Sequence, residues 1–115
     1  MRRIDLSSYT VEVAGTNPEG GPRTDNYNVR RSICLVLMSP QQQHGPEDLL
    51  DADMLCHKVR ETEGETLLLE ESEYKRLASA LDKVRGYSVN DVEFVKRIRN
   101  APEVPVIVKP EEKST

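Results

Sequence analysis

The chain has 115 residues and a mass of 13.0 kDa, enough for one domain with one modest core. A charged fraction of 31% beside a hydrophobic fraction of 37% is polar but foldable, and with no Trp and one Phe the core must come mainly from Leu, Val, Ile and Met. The net charge of −4 argues against general nucleic-acid binding, which needs a local excess of Lys and Arg to neutralise phosphate.

Along Ile4 to Val13 the residues Tyr9, Val11 and Val13 alternate with Thr10 and Glu12, a strand pattern. The stretch AGTNPEGGPRTDN, residues 14–26, is rich in Gly, Pro and Asn and reads as a long mobile loop. Next comes YNVRRSICLVLMSP. Asn28 is a good N-cap, Val29, Ile33, Val36 and Leu37 fall at helical spacing, and Pro40 ends the element. The β-branched residues favour a strand while Leu35, Leu37 and Met38 favour a helix; helix is the preferred reading over 27–39. Ile33 to Met38 is apolar nearly all round and so must be covered on most sides.

After the polar connector QQQHGPEDLL, a second helix is expected from Glu47 or Asp51 to Glu61, with Leu50, Met54, Leu55 and Val59 inward. Acids gather at its start and Lys58 and Arg60 near its end, as the helix dipole favours. Gly64 breaks it, and Leu67 to Leu69 form a short apolar lead-in. From Glu71 to Arg85, Tyr74, Leu77, Ala78, Leu81 and Val84 mark the clearest amphipathic helix, stopped at Gly86. Ser88 and Asp91 make a capping-box pattern before a last helix with Val92, Val95 and Ile98 inward and Phe94 beside them. Pro102 ends it. VPVIV, residues 104–108, reads as a short edge strand, because Pro105 excludes a central one, and residues 109–115 as a polar tail. The expected fold is α+β and helix-rich. Three or four packed helices carry a short N-terminal strand or hairpin and a C-terminal edge strand, in a single domain over residues 1–108.

No constellation carries an obvious chemistry. Cys34, Cys56, His44 and His57 lack the paired spacings of a zinc site, and adjacent Cys56 and His57 diverge by roughly 100° on a helix. The two cysteines read as buried free thiols. The acids of residues 47–70 give that stretch a net charge of −6, but they sit at helix ends and in loops, where solvation is the default. EGGPR lacks every phosphate-loop signature. Residues 74–100 can be parsed as helix–turn–helix with Lys96, Arg97 and Arg99 on the second helix. Its N-terminal half carries Asn90, Asp91 and Glu93, which suits base reading poorly. The longest apolar run is six residues, far short of the roughly 20 that span a bilayer, and Arg2 and Arg3 lead into no apolar stretch. The expectation is a cytoplasmic protein without cofactor, metal or membrane partner.

The order IDLSSYTVEV, VRRSICLVLM, a helix with Leu55-Cys56 at a Leu-Ala-type place, then Leu67, Leu69 and Glu73 leading into an amphipathic helix, resembles small uncharacterised proteins of tailed bacteriophages and prophages. The resemblance covers most of residues 4–108. It implies a phage context, in the host cell or associated with the virion, and a non-enzymatic accessory or assembly role. It supplies no active-site residues. The expected function is therefore protein–protein interaction, through self-association or a phage structural protein. Arg30, Arg31, Glu47, Asp48, Asp51 and Asp53 are the candidate contacts. A phage regulator that binds a host protein is the alternative, and a helix–turn–helix DNA-binding protein a more distant one.

Overall fold

A computed structural model describes residues 1–105. The order is β1 (Arg2–Asp5), β2 (Tyr9–Thr16), β3 (Pro22–Tyr27), α1 (Val29–Leu37), α2 (Pro46–Glu61), β4 (Thr66–Leu69), α3 (Glu71–Lys83) and α4 (Val92–Arg99), with single 3₁₀ turns at Pro40–Gln42 and Val89–Asp91. The fold is α+β. The strands form two antiparallel pairs, β1 with β4 and β2 with β3.

The apolar run around Ile33 is a helix. Asn28 caps α1 by accepting the Arg31 amide at 3.0 Å, and Val29, Ile33, Cys34, Val36 and Leu37 are buried. Helical periodicity overrides the β-branched residues here because it puts five of nine side chains into one core. That core is continuous. Ile4 and Leu6 enter from the N-terminal strand, Leu67 and Leu69 from β4, Ala52, Leu55, Cys56 and Val59 from α2, Leu77, Ala80 and Leu81 from α3, and Phe94 and Ile98 from α4. Gln42 is the one buried polar side chain among the described residues. Its amide donates to the carbonyls of Val36 and Ala80, at 3.1 and 2.8 Å, and so joins the ends of α1 and α3.

Several expectations need correction. Residues 14–26 are not a loop: β2 continues to Thr16 and β3 begins at Pro22, so only Asn17 to Gly21 turn. The turn is built by Asn17, whose side-chain oxygen accepts the amides of Glu19 and Gly21, and by Gly20 at φ 87°. Pro22 is tolerated because β3 is an edge strand. The single strand expected from Ile4 to Val13 is two strands, since β1 and β2 pair with different partners. In α2 the inward face is Ala52, Leu55, Cys56 and Val59, whereas Leu50 and Met54 are 64% and 70% exposed. In α3 Ala80 is buried, and the helix ends at Lys83 because Val84 is already extended, two residues before Gly86. In α4 the buried pair is Phe94 and Ile98; Val92 is exposed. The larger Phe ring, not the more frequent Val, decides which face of that short helix turns inward. Near the C-terminus Glu103 bridges to Arg2 and Val104 bonds to Met1 in both directions. Residues 106–108 of the expected edge strand, and the tail after them, lie outside the described residues.

The β2–β3 hairpin is tied to the body by two tyrosines. Tyr9 and Tyr27 stack at 4.7 Å, and Tyr27 lies against Phe94. The Tyr9 hydroxyl donates to the Asn90 carbonyl and accepts the Phe94 amide, and Tyr27 donates to the Asp91 carboxylate. Burial, and then the bond to Asp91, push the Tyr27 hydroxyl well above its usual range; burial raises Tyr9 as well.

Two predictions follow from this packing. Phe94→Ala should cost about 3–5 kcal/mol in urea unfolding, since the ring is fully enclosed. Both tyrosines keep their protons in the fold after an unfolded chain would have lost them. Their contribution is therefore complete below about pH 10 and falls as pH rises further. Urea midpoints measured across that alkaline range should decline, and Tyr27→Phe should flatten the decline; an unchanged slope would show that the Tyr27 hydroxyl does not drive it.

Candidate interaction surface

The proposed contact residues fall into three situations. Arg30 is structural. Its guanidinium reaches from the first turn of α1 to the far end of α2 and donates to the carbonyls of Val59 and Thr62, at 2.6 and 2.7 Å, and to that of Gly64. These carbonyls have no helical partner of their own, so the arginine caps α2. Arg30 thus spends three donors on backbone carbonyls of the chain while also lining the groove beside Arg31.

The four acids are divided by the helix. Asp51 pairs with Arg76 of α3 at 3.1 Å, and Asp48 lies 4.0 Å from the same guanidinium. Asp53, on the other flank of α2, faces His57 at 3.5 Å, and Glu61 faces that imidazole from the next turn at 3.7 Å. Glu47 makes no ion pair among the described residues and is exposed. The acids thus make no single patch. Two of the four, Asp48 and Asp51, are partly neutralised by Arg76 of the chain itself.

Arg31 is exposed and opens a groove. With Arg60 it flanks Cys34, Leu35 and Met38, in a hollow of about 470 Å³ between α1 and the end of α2. Leu35 is 60% exposed. Of the nine large apolar side chains exposed among the described residues, five stand on these two helices or at their ends: Leu35, Met38, Leu49, Leu50 and Met54. Leu35 and Met38 share this groove, and apolar side chains grouped in this way mark an interaction face more readily than the single exposed apolar residues normal on any surface. Sequence reading placed Leu50 and Met54 inside because two apolar stripes overlap on α2. The 50/54 stripe and the 52/55/56/59 stripe are both compatible with a helix, and only packing against α1 and α3 selects the second.

A second hollow, of about 450 Å³ between α2 and α3, is crossed by the Lys58–Glu73 pair at 2.7 Å and the Arg76–Asp51 pair. Its charges satisfy one another and leave little to recognise a ligand.

The thiols are buried. Cys34 lies 3.9 Å from the carbonyl of Cys56, and burial together with Cys34 pushes the Cys56 thiol up to about 12. A thiol so held stays protonated at neutral pH, which removes its nucleophilicity. Among the described residues no three His, Cys, Asp or Glu side chains come together to hold a metal, and no helix is long and apolar enough to cross a membrane. Two of the three cations that a helix–turn–helix reading requires are engaged, and Lys96 is exposed. Arg97 bonds to Glu93 and to the carbonyl of Ser7 and stacks over Tyr9, and Arg99 pairs with Asp82. Comparison with protein-family models, with curated proteins and with solved structures finds no match.

Arg30→Ala should destabilise the chain by about 1.5–3 kcal/mol in urea unfolding, because three carbonyls lose a charged donor. Arg31→Ala, one residue on, should change stability by no more than about 0.5 kcal/mol. Equal losses at the two positions would contradict this division of roles.

Proposed function

We propose that this protein works without catalysis, by binding another protein through the face formed by α1 and α2. The observation that carries the reading is the groove where exposed Leu35 and Met38 stand beside Arg31 and Arg60, which make no ion pair among the described residues. A mixed apolar and arginine surface is the usual composition of a protein-binding patch, since both residue types gain more from desolvated contact than lysine or serine does. The buried thiols and the mutually satisfied ion pairs support a non-catalytic role.

The sequence resemblance to small phage and prophage proteins supports an accessory or virion-assembly setting, in the infected cell or on the particle. The scatter of Glu47, Asp48, Asp51 and Asp53 over two flanks of α2 favours assembly over an acidic mimic of nucleic acid directed at a host protein. The engagement of Arg97 and Arg99 within the fold weighs against DNA binding.

The test replaces the patch. Leu35→Asp combined with Met38→Asp should leave the circular dichroism spectrum unchanged while abolishing a defined complex, whether with itself or with one partner, seen by light scattering of the parent chain. A parent chain that forms no complex, or a complex indifferent to both replacements, removes this surface from consideration.

A further inference from the structure

A third hollow, of about 400 Å³, lies between α3 and the connector that leads from α1 into α2, and no residue lines both it and the groove on α1. On α3 the residues Lys75, Ser79 and Lys83 follow at i, i+4 and i+8, so they share one stripe of the helix, and all three are exposed. Gln43 and His44 form the facing wall. That wall is held in place. The Gln42 amide donates to the Val36 and Ala80 carbonyls, and the His44 imidazole donates from Nε2 to the Leu37 carbonyl at 2.6 Å. Three cations, Lys75, Arg76 and Lys83, line the hollow against one acid, Asp48, in a chain whose net charge is −4. Arg76 is shared between Asp48 and Asp51, and Asp82, next to Lys83 in the chain, pairs with Arg99. Lys75 and Lys83 make no ion pair among the described residues.

We propose that this hollow binds a small free anion carrying two or three linked phosphate groups, held by Lys75 and Lys83 with the Ser79 hydroxyl between them. Phosphate oxygens accept strong, charge-assisted hydrogen bonds from ammonium groups, and these two are available without breaking an internal ion pair. Eight residues along a helix set the two lysine Cα atoms about 12 Å apart. A chain of phosphates spans more of that distance than orthophosphate does, so it meets both ammonium groups with less bending of either stem. The size of the hollow suits a compact ligand, since sites for small molecules start at roughly 300 Å³. No aromatic ring lines it, so it has no platform on which a nucleobase would stack. Its apolar lining, Leu37 and Ala80, is buried, which leaves no exposed apolar anchor for a lipid chain. The chemistry is therefore that of a free polyphosphate rather than of a nucleic acid or a membrane surface.

The test is titration of the full chain with sodium tripolyphosphate, followed by calorimetry and by amide chemical shifts, with orthophosphate and citrate at matched ionic strength for comparison. Saturable one-to-one binding is expected, about tenfold or more tighter than for either comparison anion, with the largest shifts at Gln43, His44, Lys75, Ser79 and Lys83. Lys75→Glu and Lys83→Glu should each weaken it about tenfold or more. Lys96→Glu makes the same change of charge on α4, outside the hollow, and should leave it unaltered. Circular dichroism confirms that each variant is folded. Binding that does not saturate, equal affinity for orthophosphate or citrate, or an equal loss in Lys96→Glu overturns the proposal. Retention of the chain by phosphatidic acid vesicles or by a single-stranded oligonucleotide, lost in the same two lysine variants, overturns the assignment to a free anion. Leu35→Asp with Met38→Asp should not alter tripolyphosphate binding, so this site and the groove on α1 stand or fall separately.

Discussion

The contact on which the arrangement depends is the guanidinium of Arg30 at the end of α2. One side chain from the first turn of α1 holds three backbone carbonyls, those of Val59, Thr62 and Gly64. It ends α2, sets α1 and α2 antiparallel, and starts the chain toward β4, whose pairing with β1 closes that side of the core. Planar geometry suits arginine to this task, since its donors diverge in a fixed fork toward several acceptors at once.

Around that link several polar side chains join one element to the next. Gln42 joins α1 to α3, Tyr74 bonds from α3 to the end of α4, and Arg97 binds the backbone between β1 and β2. The Lys58–Glu73 and Arg76–Asp51 pairs bridge α2 and α3. A small core with a single Phe gains specificity from such connections, because aliphatic packing alone tolerates many arrangements. What is left over is informative for the same reason. Arg31 and Arg60 make no ion pair among the described residues, and they stand beside Leu35 and Met38, which the core leaves uncovered.

The hairpin shows another economy. From Ala14 to Asn26 it adds no residue to the core, and it is anchored by Tyr9 and Tyr27 at the start of α4 and by the Asn90 amide donating to the Glu12 carbonyl. Its outer strand begins with Pro22, and the carboxylate of Asp25 accepts the Asn26 amide. Both features remove donors from an edge that could otherwise pair with another chain.

Much of this was legible in the sequence. Helix positions, the Asn28 cap, the Ser88–Asp91 capping box and the buried thiols follow from local chemistry, where a residue's nearest neighbours in the chain decide its state. A short N-terminal strand or hairpin was expected, but the second strand, Pro22–Tyr27, was hidden because Gly, Pro and Asn signal a turn without saying how short it is, and pairing of Arg23 to Tyr27 with β2 depends on register rather than composition. The candidate surface was legible only in part. Arg31 and the acids stood out as charges, but an arginine that caps a distant helix looks the same in sequence as one that faces solvent. Leu50 and Met54 looked like core because α2 has two apolar stripes, and a helix cannot choose between them alone. The packing of α1 and α3 made that choice: it buried one stripe and left the other exposed, so only the tertiary structure decided where this protein has surface to offer.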